Sequence, residues 1–97
     1  MTTCCQNTIA AAMHSLADWI AENDAADCIE GIDFEAGRLS VNLKRGGLEL
    51  FFSGQDAAVE PIGSIEETLT VSTCFAEFWE FREFSGERGV VKVGERP

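Results

Sequence analysis

No lysine or arginine occurs before Arg38, and the whole 97-residue chain holds 7 basic residues against 17 acidic ones, a net charge of -10. A chain this acidic is repelled by phosphate backbones and by anionic membrane surfaces, so direct nucleic-acid binding and membrane-surface binding are disfavoured. No apolar run approaches the roughly 18 residues that a membrane helix needs. The N-terminus has neither a basic n-region nor a continuous apolar segment of the secretory kind, and the expected location is cytoplasmic. The usual signatures of catalysis are missing too. There is no P-loop, no Gly-x-Gly-x-x-Gly and no Gly-x-Ser-x-Gly. A single histidine, His14, falls on the polar side of a helical stretch, where it reads as a solvated surface residue and not as half of a Cys–His pair.

Cysteine is present but badly arranged for a site. Cys4, Cys5, Cys28 and Cys74 contain no Cys-x-x-Cys pair, which argues against zinc, and in a chain without an export signal they are expected to be free thiols. Cys28 and Cys74 read as small apolar core residues. Cys4 and Cys5 would lie in a first helical turn, where the helix dipole favours a thiolate, yet nothing nearby supplies a base. Glu66, Glu67 and Asp24 are read as solvated carboxylates. No cofactor and no metal are expected, and the chain is read as a non-enzyme.

Ninety-seven residues make one domain, spanning 1–97. Apolar residues make up 45% and charged residues 25% of the chain, a globular composition that argues against disorder throughout. The expected class is α+β, with an N-terminal amphipathic helix packed on an antiparallel sheet. The sheet is expected to be a three-strand meander plus one or two C-terminal strands. Thr3-Cys4-Cys5-Gln6 fits a capping box, so the helix begins at Cys4, or at Asn7 as the later alternative. Ile9, Met13, Leu16 and Ile20 then form its apolar stripe, with Ala12, Trp19 and Ala17 at the shoulders, and Asn23-Asp24 ends it.

Three alternating runs follow: Ile32 and Phe34; Leu39, Val41 and Leu43; Leu48, Leu50 and Phe52. They are joined by Glu35-Ala36-Gly37-Arg38 and Arg45-Gly46-Gly47, which have the glycines of hairpin turns. Ser53 to Gly63 reads as a loop. Ser64 to Glu67 is a second capping-box match and predicts one helical turn, after which Thr68 to Thr73 is a strand. Cys74 to Phe84 fits neither period cleanly, and a long bulged strand that pairs with Val90 to Val93 is preferred. Gly94 to Pro97 should fray.

Two features are not absorbed by this architecture. Asp18, Glu22, Asp24, Asp27, Glu30, Asp33 and Glu35 have no basic neighbour in sequence, and crowded like charge costs stability by repulsion. They form the candidate partner-binding acidic face. Aromatic residues are also in surplus, because Phe51, Phe52, Trp79 and one or two of Phe78, Phe81 and Phe84 cannot all face inward on a single-layer sheet. Phe78, Trp79 and Phe81 are the alternative, aromatic partner-binding set.

The expected partner is a protein with a basic, nucleic-acid-binding surface, which a carboxylate array would block by mimicking nucleic-acid charge. Small size, strong acidity and absent catalytic motifs resemble the general character of anti-CRISPR and anti-restriction proteins of phages and mobile elements, on composition alone. Lys44 and Arg45 at a hairpin tip favour a mixed docking surface over a pure mimic. The alternative is a small homodimeric chaperone or adaptor that binds a partner segment through its aromatic surface.

Overall fold

The computed structural model describes residues 8–94. Cys4, Cys5, the Thr3 capping box, the Asn7 helix start and the tail from residue 95 lie outside the described residues. Helix α1 covers Ile9–Asn23, with Thr8 as N-cap: its hydroxyl oxygen accepts the Ala11 N–H at 3.1 Å. The helix ends at Asp24, which adopts the left-handed conformation (φ 52°). Ala12 and Leu16 are buried, with Trp19 and Ile20 packed beside them. Ile9 and Met13, placed in the stripe by spacing, remain exposed. The seam is therefore turned towards Trp19.

After a 3-10 turn (Ala26–Cys28), β1 (Ile29–Glu35) and β2 (Arg38–Leu43) form the expected hairpin. Ala36 and Gly37 both take positive φ there, as a two-residue primed turn demands. The third expected strand is not one. Gly47–Phe52 is a short helix, α2. Leu48 and Phe52 are buried at i and i+4 whereas Leu50 is 69% exposed, so the apolar residues obey the helical spacing. A glycine is needed at position 47 because a Cβ there would lie 2.7 Å from Cys28 Sγ and 2.9 Å from Leu43 Cβ.

The remaining elements among the described residues are all strands: β3 (Asp56–Ile62), β4 (Glu66–Ser72), β5 (Ala76–Glu83) and β6 (Gly89–Lys92). The loop expected from Ser53 to Gly63 is thus mostly β3. Its inward residues are only Ala57 and Val59, too few and too small to mark a strand. The helical turn expected at Ser64 is absent, and β4 begins at Glu66. Cys74 to Phe84 is a strand over Ala76–Glu83, but it pairs in unbroken register with β4 and does not pair with β6. Instead β6 lies beside β3.

One six-stranded sheet results, in the order β1-β2-β5-β4-β3-β6, with β2 and β5 parallel and every other neighbouring pair antiparallel. The class is α+β, as expected, with a mixed sheet of six strands in place of the antiparallel one. Both helices belong to one face. There Leu39, Val41, Leu69, Val71 and Phe78 meet Leu16, Leu48 and Phe52 in the core. Trp19 packs 4.5 Å from Phe78, 5.6 Å from Phe52 and 5.2 Å from Phe51, centroid to centroid. Among the described residues, no helix is long and apolar enough to cross a membrane.

Candidate functional site: the uncovered sheet face

Strand alternation decides what each face carries, because side chains of neighbouring strands that stand in register point the same way. Opposite the helices, β5 presents Glu77, Trp79, Phe81 and Glu83, and β4 presents Glu66, Thr68, Thr70 and Ser72. Ser40 and Asn42 of β2 stand in register with Glu77 and Trp79. Asp33 of β1 stands opposite Ser40, and Glu35 opposite Arg38.

The centre of this face is aromatic and hydroxylated. Trp79 and Phe81 meet edge to face at 5.0 Å, and the indole N–H of Trp79 donates to Ser40 Oγ at 2.9 Å, which fixes the plane of the ring. Its rim is acidic: among the described residues Asp33, Glu35, Asp56, Glu60, Glu66, Glu77 and Glu83 outnumber Arg38 and Lys92 on the same face and Arg45 beside it, with Lys92 paired to Asp56 at 2.7 Å and Arg45 to Glu66. Arg38 is drawn to the end of β5, donating to Thr73 O at 2.7 Å and lying 3.8 Å from Glu77. Two hollows flank the indole. One, of about 230 Å³, is lined by Gly31, Asp33, Glu35, Ser40 and Asn42; the other, of about 240 Å³, by Ile62, Thr68, Thr70, Glu77 and Phe81.

The seven acids singled out from sequence are all exposed, and none forms an ion pair among the described residues. They do not make one patch. Asp18 and Glu22 project from the exposed side of α1, whereas Asp33 and Glu35 project from the opposite side of the sheet. Asp24 caps α1, Asp27 sits in the 3-10 turn, and Glu30 falls where the β1–β2 register shifts. The aromatic set divides as well. Phe78 is completely buried and belongs to the core; Trp79 and Phe81 are the pair left on the open face.

Sequence reasoning missed the acids that complete the rim. Glu60 lies in a stretch that reads as loop, Glu66 in one that reads as a helical turn, and Glu77 and Glu83 in a segment that fits neither period. It also misplaced Glu67, expected to be solvated and in fact wholly buried. Burial works to raise the Glu67 pKa, but hydrogen bonds from Arg82 and Ser85, with the Arg82 charge, outweigh it and hold the carboxyl below its ordinary value. Glu80, also buried, accepts the backbone N–H of Leu48 at 2.8 Å and of Gly46 at 3.1 Å.

A cavity of about 440 Å³ opens beside these groups, lined by Arg45, Glu80, Arg82 and Ser85 among others. Most of its charged groups are engaged within the fold, Glu49 and Glu83 on its lining aside. Arg82 is shared between Glu67 and Glu87, Glu80 holds the start of α2, and Arg45 reaches Glu66 at 2.8 Å. That cavity is a structural joint. His14 is exposed, and the Cys28 and Cys74 thiols are free and half-buried. Compared with protein-family models, with curated proteins and with solved structures, the chain finds no match.

Proposed function

We propose that this chain is a non-enzymatic binding protein whose uncovered sheet face docks on a basic surface of a partner protein. One observation carries the reading: an aromatic pair, Trp79 and Phe81, stands at the centre of a face whose rim is acidic. Partly buried aromatic groups give an anchor, and a rim of one sign steers the encounter and selects partners of the other sign.

The more specific form of the proposal is inhibition by charge competition. A basic surface of this kind commonly serves nucleic acid, and duplex DNA presents about one charge per 1.7 Å of axis. A carboxylate-rimmed face spread over a six-stranded sheet competes for such a surface on a comparable scale. Division of the acids between two sides of the molecule narrows the docking set to Asp33, Glu35 and Glu77 with Trp79 and Phe81, and leaves Asp18 and Glu22 as bystanders.

The test is affinity capture from native lysate across a salt series, with duplex DNA and RNA as competitors. Retention at low salt, release by moderate salt or by nucleic acid, and loss on combining Asp33→Asn with Glu35→Gln and Glu77→Gln are expected. Asp18→Asn with Glu22→Gln should leave capture intact. Equal loss from both sets would sink the assignment to the open face.

A second reading, a homodimeric adaptor with an apolar interface, draws on Ile32 and Phe34. They are 52% and 48% exposed at the edge strand β1, on the helix side. A complex that persists at high salt, or concentration-dependent dimerisation abolished by Phe34→Ser, is what that reading requires.

A further inference from the structure

The hollow between β1 and Trp79 holds a combination of groups that no packing need explains. Asn42 lines it, and the side-chain Oδ1 of Asn42 is shut off from solvent without a hydrogen-bond donor among the described residues. Directly opposite Asn42 in the β1–β2 register is Gly31. Its φ is not in the positive range, and a Cβ built there would meet nothing within 4 Å, so neither backbone conformation nor crowding asks for glycine. What the missing side chain provides is the open space. The other walls are the Trp79 indole, fixed by its bond to Ser40, and the carboxylates of Asp33 and Glu35, which stand two residues apart on the same side of β1.

We propose that this hollow receives a single arginine side chain from the partner. The inference rests on the reading that the open face binds a basic protein, and it names the anchor. The match is one of chemistry. Indole faces attract cations, and guanidinium stacks on them better than ammonium does. Side chains two residues apart on a strand are separated by about 7 Å, a spread that a compact ammonium cannot bridge but that the planar fork of five guanidinium donors is suited to. Asp33 already spends Oδ1 on the N–H of Phe34 at 3.0 Å, which holds the carboxylate in place for its remaining acceptor positions. Asn42 closes the hollow beside the carboxylates. A neutral or anionic ligand would leave two carboxylates beside it uncompensated.

The experiment uses the full chain, nitrogen-15 labelled, titrated with N-acetyl-arginine methylamide and with its lysine and citrulline counterparts. Citrulline keeps the shape of arginine and removes the charge. The readouts are the indole N–H of Trp79 and the backbone N–H of Gly31. Arginine should give saturable shifts confined to these and neighbouring signals, with a dissociation constant on the order of 1 mM, as suits so small a ligand. Citrulline should bind about tenfold more weakly or worse, the loss of one charge-assisted contact.

A Cβ at Gly31 meets nothing within 4 Å, so Gly31→Val should keep a folded spectrum and, by occupying the hollow, lose arginine binding. Citrulline or lysine equal to arginine, or undiminished arginine binding by a folded Gly31→Val chain, would overturn the proposal. If Gly31→Val still captures the basic partner in the salt series, the open-face reading stands and the arginine receptor falls. If capture fails for every open-face variant to the same extent as for the Asp18 and Glu22 control, the open-face reading itself falls.

Discussion

Glu67 lies fully buried on β4, and Arg82, its register partner on β5, donates to it through Nε. Ser85 supports the same carboxylate through its hydroxyl at 2.9 Å, and Glu87 takes the other end of the guanidinium at 3.0 Å. Removing one partner of a buried pair strands the other. Arg82→Ala is therefore expected to cost about 3 kcal/mol, measured by urea unfolding at neutral pH. Glu67→Gln should cost less, because Arg82 keeps Glu87 and some access to water.

The same carboxylate sets an acid limit. Its folded-state pKa lies below the unfolded value, so its contribution is complete above about pH 4.3 and is lost as pH falls through the lowered folded-state value. Unfolding free energy measured from pH 6 downwards should decline over that acid window, and the decline should be shallower in Glu67→Gln. An identical slope in both proteins would remove Glu67 from the account.

Helix α2 has only six residues and no side-chain cap of its own, and its exposed amides are taken by Glu80 from β5. Replacing Glu80 by Ala leaves those amides unsatisfied under the core, with an expected loss of about 2 kcal/mol. Gly47→Ala should cost a comparable amount, roughly 1–3 kcal/mol, by driving a methyl against Cys28 and Leu43. Thermal unfolding of both variants checks the point; an unchanged midpoint for Gly47→Ala would mean that α2 can shift to admit the methyl.

Adjacent aromatic residues should behave oppositely. Phe78→Ala empties the space between Trp19 and Phe52 and is expected to destabilise by roughly 3–5 kcal/mol. Trp79→Ala, on the open face, should lower stability by less than half of that while abolishing capture of the basic partner. Denaturation and binding measured on the same two preparations separate the roles.

Glu66 and Glu83 stand directly opposite each other across β4 and β5, and like charges in that position are unfavourable. Arg45 relieves Glu66 in part. Glu83→Lys should raise stability by about 0.5 kcal/mol at low salt, with the gain shrinking as salt is added. If the rim serves docking, the same substitution should weaken the charge-driven complex, a stability gain at the expense of function.

By itself the sequence determined the helix, the β1–β2 hairpin and the net charge. Leu16 with Ile20, and the alternation of Leu39, Val41 and Leu43, repeat at one period over enough residues to leave no second solution, and the Ala36-Gly37 turn closes the hairpin locally. What remained illegible depended on partners far along the chain. Leu48, Leu50 and Phe52 satisfy a strand as well as a helix in spacing, and the choice was made by Glu80, 32 residues away, reaching the Leu48 amide. Ala57 and Val59 carry too little apolar surface to declare a strand, and β3 exists because β4 and β6 pair with it on either side. Phe78 and Trp79 are neighbours of like character, and only the insertion of β5 between β2 and β4 sends one into the core and the other to the open face. Charge composition is a property of the chain, but a charged face is a property of the register. Whether Asp18 and Asp33 act together was therefore decided by the sheet that separates them.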